Sequence, residues 1–569
     1  METRREIKEI FKKLRPVFGK KIDLLYLKYS LSEDMDERAE IEAAIKGLYH
    51  KYLNKTALKE KILLEPPPKS LLDGEYPLGN VVYADKELFP FYIREHDWVR
   101  HMLICGMSGS GKTNLAYQIL GSLILKEKPF LVFDWKKSFR PLIRSEKVFC
   151  FTIGNDNVTN YFKLNINVPP KGISPREWIN ILVDIITESY FASFGVHKIL
   201  SEALDRAFYD FGVYKGSENY PTWRQIKDRL DDMDEKVRKG SRESEWLASA
   251  QRIAYSLTFG SFGEAINYKG KDIFTIEELM KNQVIFELDS LNSSEKKFFS
   301  EFVLTYIYKF KKANQKITRN NFSYAIIVDE AHNIFLNSKT TFLKESIPDM
   351  IYREIREYGV SLICLDQHIS KLSEVVAGNS ATIFAFQQML PQDIDVVSAI
   401  MQLKDKRNYF SMLPVGQAIV KLVERYHDPF LVRVPLVDVD KTAISNAELN
   451  SEMLRKTKQY KQKKLFYDSI DNAKIAENAA EINKKLGNIK EKYDAQKAEQ
   501  ELIKILSRHY SEIAKQRQRK AKAVNHIQKY LLDYIKNELS KGFKLNELRK
   551  TLLSQGYKRQ DIDQAIRSL

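Results

Sequence analysis

Between Leu78 and about Pro435, short and almost uninterrupted apolar runs alternate with stretches of helical periodicity. The runs are Met102–Cys105, Phe130–Phe133, Val284–Leu288, Ala325–Val328, Ser361–Leu365 and Ala381–Phe386. They lack the alternation of a strand with one wet face. The pattern therefore predicts strands buried on both faces, in a mostly parallel sheet covered by helices.

The flanks read differently. In residues 1–65, Ile7, Ile10, Phe11 and Leu14, and later Ile41, Ile45, Leu48 and Tyr52, fall at helical spacing, and the stretch closes at Pro66-Pro67-Pro68. This predicts a helical N-terminal module and a stiff linker to a central domain spanning 66–440. Beyond Pro435 the pattern is almost wholly helical. In a basic region over 441–523, Ile475, Ala479, Ile482, Leu486, Ile489 and Tyr493 alternate spacings of four and three, enough for a helical hairpin or a short coiled-coil seam. Leu539–Leu552 and Leu553–Ile566 then repeat each other in register, with Gly542 and Gly556 placed to end helices. A small three-helix module over 524–569 is expected, serving interaction or capping, with nucleic-acid contact as the alternative.

Composition adds a partner class. The chain has 569 residues, 44% of them hydrophobic, which is ample for a large core and excludes a disordered protein. Its net charge is +16, of which +13 falls in residues 441–569. A basic tail on a nearly neutral body suits a polyanion such as nucleic acid. Cys105, Cys150 and Cys364 stand far apart in apolar stretches and read as reduced core residues. There is no apolar run long enough for an integral membrane segment, and the charged METRREIKEIFKKLRP start does not read as a signal peptide, so a cytoplasmic protein is expected.

The candidate chemistry centres on Gly106-Met107-Ser108-Gly109-Ser110-Gly111-Lys112-Thr113, which satisfies the phosphate-loop pattern G-x-x-x-x-G-K-[ST]. An apolar strand precedes it and a helix follows, so loop amides and a helix N-terminus converge on one point. The glycines allow close backbone approach, Lys112 is expected to reach the β and γ phosphates of ATP, and Thr113 to ligate Mg²⁺. Downstream, Tyr324-Ala-Ile-Ile-Val-Asp329-Glu330 is an apolar strand ending in two carboxylates. Asp329 is placed to hold the Mg²⁺ shell and Glu330 to orient or polarise the attacking water. Arg353 and Arg356 stand three apart on one helical face; an arginine there can stabilise phosphoryl charge in a neighbouring subunit, an ordinary surface ion pair being the alternative. Gln367 follows the next strand, where it can sense the γ-phosphate or simply make a turn. His368 has no metal-like partner and reads as structural.

Taken together, residues 75 to about 437 resemble the HerA/FtsK superfamily of ring-forming P-loop ATPases, especially its HerA-like and type IV secretion branches. The resemblance is carried by Tyr76-Pro-Leu-Gly-Asn-Val, Val132-Phe-Asp134-Trp-Lys136, Leu164-Asn165-Ile, Arg353-Glu-x-x-Arg356-x-aromatic-Gly359-Val, the Gln367 strand and Leu413-Pro-Val-Gly416-Gln-Ala-Ile-Val. It implies a RecA-like α/β P-loop NTPase core with helical N-terminal and C-terminal extensions, a homo-hexamer, ATP at subunit interfaces and DNA in a central pore. By that resemblance Lys112, Thr113, Asp329, Glu330 and Gln367 act in cis and Arg356 acts in trans. Two departures stand out. HerA proteins usually begin with a β-barrel where this chain has helical pattern, and the sensor strand often ends Gln-Arg where this chain has Gln367-His368. The expected function is a motor that uses ATP to translocate or unwind DNA in transfer, repair or defence, gripping mostly backbone phosphates. Helical termini recruiting protein partners in a nucleotide-gated scaffold, or a protein-secretion ATPase, are the alternatives.

Overall fold

The computed structural model describes residues 2–462 apart from 54–60, 160, 235–237, 271–273, 315–320, 337–345 and 440–441, together with Leu552. The chain divides into a compact unit, Met1–Gln459, and a second, Tyr460–Leu569. The coiled-coil seam and three-helix module expected from the sequence lie outside the described residues.

Three helices open the chain: α1 (Glu2–Phe18), α2 (Lys20–Leu31) and α3 (Met35–Tyr52). Asp34 caps α3 by accepting the Asp36 N–H at 3.0 Å. Their inward stripe, Ile7, Leu14, Ile22, Tyr29 and Ile45, forms a small core that also takes in Tyr83. The Tyr83 hydroxyl donates to the Lys13 carbonyl at 2.7 Å, so this module is pinned to the sheet beside it.

That sheet has eleven strands: β1 (Tyr76–Tyr83), β2 (Lys86–Ile93), β3 (Met102–Cys105), β4 (Phe130–Asp134), β5 (Val148–Thr152), β6 (Gln283–Glu287), β7 (Tyr324–Val328), β8 (Val360–Asp366), β9 (Thr382–Ala385), β10 (Gln417–Leu422) and β11 (Tyr426–Arg433). Their order is β2-β1-β11-β10-β9-β3-β8-β7-β4-β6-β5. From β9 to β5 every pairing is parallel. From β9 outward through β10, β11, β1 and β2 every pairing is antiparallel. All residues of β3, β4, β6, β7 and β8 are buried, which is why those runs show no alternation in the sequence.

Helix α4 (Lys112–Leu125) follows β3. A helical insertion separates β5 from β6: α5 (Pro175–Ser189), α6 (Phe194–Asp210), α7 (Trp223–Asp234), α8 (Arg242–Ser256), α9 (Gly260–Ile266) and the short α10 (Ile276–Leu279). Ser174 caps α5 with Pro175 at its first turn, and the buried stripe Trp178, Leu182, Ile185 and Ile186 faces inward. Behind it lies α11 (Ser293–Asn314), whose Phe302 and Tyr306 rings meet Trp178 edge-on at 5.8 Å. Helix α12 (Ile347–Glu354) leads through a short 3₁₀ turn, Ile355–Tyr358, into β8.

After β11 the chain recrosses the phosphate-loop helix. Asn114 donates to the Pro435 carbonyl and accepts the Val437 N–H, both at 2.8 Å. A helix over 446–462 then docks beside β5. Its buried Lys456 ammonium donates to the carbonyls of Ile143, Ser145 and Val148 at 2.5, 2.7 and 2.9 Å. Nearby, Arg140 makes a two-pronged pair with Glu287 at 2.6 Å for each bond, and its remaining nitrogen reaches Ile444 O and Asn446 Oδ1. Among the described residues no helix is long and apolar enough to cross a membrane.

Candidate active site

Parallel strands deliver their carboxyl ends to one edge, and an open α/β sheet gathers its functional groups there. Strand β3 ends at Cys105 and the phosphate loop begins at Gly106. The loop is braced by its neighbours: the Gly106 N–H donates to Asp366 O of β8 at 3.2 Å, Met107 N–H to Gln387 O at 2.7 Å, and Gly416 N–H to Ser110 O at 2.9 Å. Gly111 sits at φ 122°, and a Cβ there would stand 3.0 Å from the Phe386 ring and 3.2 Å from Gly416 Cα. Only glycine fits that turn. The Lys112 ammonium, largely buried, donates to Gly106 O at 2.6 Å and Met107 O at 2.9 Å. Burial lowers its pKa, against the pull of Glu330, Cys105, Asp329 and Asp366. Thr113 is exposed in the first turn of α4, and Ser110 Oγ turns inward to Met107 O at 2.8 Å.

Strand β7, one strand over from β3 across β8, carries the acidic pair to the same edge. Burial pushes the Asp329 carboxyl up to about 7, with Asp134 and Glu330 adding to the shift and Lys136 opposing it. Glu330 has a left-handed backbone at φ 49°, which residues with side chains rarely adopt. Its Oε1 accepts from Gln367 Nε2 at 2.5 Å and also from Lys136 Nζ. Asp366, fully buried at the end of β8, accepts the His332 N–H at 2.6 Å, pairs with His332 Nδ1 at 2.9 Å and accepts the His368 N–H at 2.7 Å. Burial disfavours a charged His332 ring, but Asp366 outweighs it and the pKa is raised.

The structure thus brings Lys112, Asp329, Glu330 and Gln367 to one edge, with Thr113 beside them on α4. It does not bring Arg356 there. That residue is exposed in the turn before β8, at the amino end of the strand whose carboxyl end leads into Gln367. Arg353, on the last turn of α12, is exposed at the same end. His368 Nδ1 lies 3.4 Å from Asp393 Oδ2.

Mg²⁺ takes oxygen ligands and keeps several waters, so a threonine hydroxyl and a strand-end carboxylate suit it by chemistry. Thr113 and Asp329 supply that pair. A second grouping, Glu330, His332 and Asp366, has ligand atoms within 4.8 Å of one another, but its atoms are engaged with Lys136, Gln367 and one another.

Two features escaped sequence reading as site residues. Lys136 reaches Glu330 across 194 positions of chain, and the available signal was its place in the Val132-Phe-Asp134-Trp-Lys136 segment, two residues past the end of β4, the strand beside β7. His332 was legible as the residue after Asp329-Glu330-Ala331, but not as the partner of Asp366.

Comparison with known proteins fits this geometry. Residues 76–307 match the family model described as the helicase HerA central domain. Over those residues the chain is similar to the HerA central domain. It is 20% identical over 359 residues to the DNA double-strand break repair helicase HerA of Saccharolobus solfataricus, covering 61% of this chain and 66% of that protein. To the HerA of Sulfurisphaera tokodaii it is 20% identical over 409 residues, covering 68% and 74%. The chain thus spans slightly under two thirds of the first relative's length. Among solved structures, VirB4 of Thermoanaerobacter pseudethanolicus aligns with a TM-score of 0.51 at 13% identity, covering 64% of this chain and 97% of that one. That likeness is one of fold.

Proposed function

We propose that this HerA-type chain is an ATP- and Mg²⁺-dependent motor that works as a ring, most simply a homo-hexamer, and translocates or unwinds DNA. The reading is supported above all by how the site residues divide: Lys112, Asp329, Glu330 and Gln367 share the carboxyl edge of the sheet, while Arg356 stands at the amino edge. A single chain cannot supply both to one phosphate. A ring of identical chains, each presenting its amino edge to the next chain's carboxyl edge, can.

In this reading the loop from Gly106 to Gly111 wraps the phosphates with backbone N–H groups, Lys112 leaves its loop carbonyls for the β and γ phosphates, and Thr113 and Asp329 hold Mg²⁺. The ion, when bound, neutralises charge on the transferred phosphoryl group. Glu330 accepts a hydrogen bond from the attacking water, and Gln367, bonded to Glu330, reports the state of the γ-phosphate to β8. Arg356 from a neighbour stabilises charge as the bond breaks. The names of the HerA relatives and the +13 charge of residues 441–569 support DNA as the polymer moved.

The deciding measurement is ATP turnover of the full chain against protein concentration, with and without single- and double-stranded DNA. Turnover that rises steeply with concentration and is stimulated by DNA is expected. Turnover indifferent to both DNA forms in the assembled ring would overturn the motor reading in favour of a nucleotide-gated scaffold or a protein-secretion ATPase.

A further inference from the structure

Glu330 is held at one oxygen by two donors. Lys136 Nζ and Gln367 Nε2 both reach Oε1, while Oε2 lies 3.8 Å from His332 Nδ1, beyond hydrogen-bond reach. The donors come from two strands that flank β7: Gln367 follows β8, and Lys136 follows β4. Glutamate has three rotatable side-chain bonds and would otherwise sweep through several rotamers at the strand end.

The turn that carries Lys136 is itself fixed. The buried Asp134 carboxylate accepts the N–H groups of Lys136, Ser138 and Phe139 at 3.1, 2.9 and 2.8 Å. Lys137 pairs with Asp289 at 2.6 Å, and Lys296 lies over the Trp135 ring. Lys136 therefore projects from a braced turn, unlike a surface lysine on a free loop. Its side chain is 52% exposed against 11% for Glu330, so a pair of this kind adds little to stability. Its consequence lies in where it puts the carboxylate.

We propose that Lys136 is a positioning residue of the ATPase site: with Gln367 it pins Oε1 of Glu330, leaving Oε2 as the oxygen that accepts from the attacking water. The proposal rests on the reading of Glu330 as the water-polarising group. Lys136 touches neither water nor phosphate in this role; it acts through Glu330 alone.

The test uses full-length wild type, Lys136→Met, Lys136→Arg, Glu330→Gln and the double variant Lys136→Met/Glu330→Gln, with kcat, affinity for a fluorescent ATP analogue and melting temperature measured for each. Lys136→Met is expected to lower kcat by about 10²-fold, the usual effect of misplacing a reacting group by an ångström or so, with affinity and melting temperature unchanged. Lys136→Arg should recover most of the loss, because its guanidinium can still donate to Oε1. In the Glu330→Gln background Lys136→Met should cost nothing more, since two residues acting as a unit are not additive. A Lys136→Met variant that turns over at the wild-type rate or faster overturns the proposal, as does an equal further loss on top of Glu330→Gln. A wild-type chain with no turnover at all overturns the ATPase reading, and this proposal with it.

Discussion

Arg356 and Gln367 bracket a single strand: Arg356 lies in the 3₁₀ turn that feeds β8, and Gln367 directly follows its last residue, Asp366. The seven residues between Val360 and Asp366 span about 20 Å of extended chain, far beyond the reach of an arginine side chain. The strand therefore links two residues that cannot serve the same phosphate.

If Arg356 serves a neighbour, defects in the two kinds of residue should complement only partly and in a defined way. Arg356→Ala alone is expected to bind nucleotide normally while losing about 10³-fold in turnover, the low end for an arginine supplied in trans. Mixed with a Lys112→Ala chain, itself inactive, it should regain activity, because some interfaces then pair an intact loop with an intact arginine. Turnover in mixtures of the purified variants checks this, and no recovery at any ratio would count against a shared site.

Lys112 and Glu330 should separate binding from chemistry. Lys112→Ala removes the ammonium that the loop holds at its centre and should abolish binding of an ATP analogue in a fluorescence titration. Glu330→Gln keeps the amide in place of the carboxylate, should bind the analogue as the wild type does, and should turn over about 10²-fold or more slowly.

Stability has its own centre at Arg140 and Glu287, whose side chains are 9% and 0% exposed. Breaking a buried pair strands the remaining charge, so Arg140→Ala should cost about 3–5 kcal/mol, read as a fall in the urea midpoint. Arg140→Met/Glu287→Met should recover much of that, since neither charge then needs solvation. Both variants test packing at the carboxyl ends of β5 and β6 and leave the phosphate loop intact.

Glu301 gives a pH signature away from the site. Burial pushes it up from 4.5 to about 8, Lys297 opposing and Glu188 adding to the shift, while Ser189 Oγ donates to it at 2.8 Å. An acid whose folded value exceeds its unfolded one keeps a proton that the unfolded chain gives up. Stability therefore falls as pH rises from about 4.5 through about 8. Glu301→Gln should flatten that part of the melting-temperature profile, leaving the variant more stable than wild type at pH 9 and comparable at pH 5. A parallel fall in both proteins would show that other groups dominate.

The parallel half of the sheet was legible because its strands are buried on both faces and leave solid apolar runs. β3, β4, β6, β7, β8 and β9 all coincide with such runs. β5, Val148–Thr152, is equally buried but has no motif or phosphate loop to draw attention to it. The antiparallel strands β2 and β11 carry exposed positions, and Pro90 and Pro429 interrupt any clean period, so the sequence reads there as irregular. The phosphate loop and acidic pair were legible since each is written in consecutive residues. The grip on Glu330 was not, because Lys136, Glu330 and Gln367 belong to three strand ends that only the sheet order brings together.

Lys456 and Asn446 carry a practical lesson for anyone dissecting the chain. A fragment ended at 440, the expected end of the central domain, would strip three carbonyls of their shared ammonium and deprive Arg140 of two acceptors. A truncation that keeps the helix over 446–462 keeps both sets of contacts.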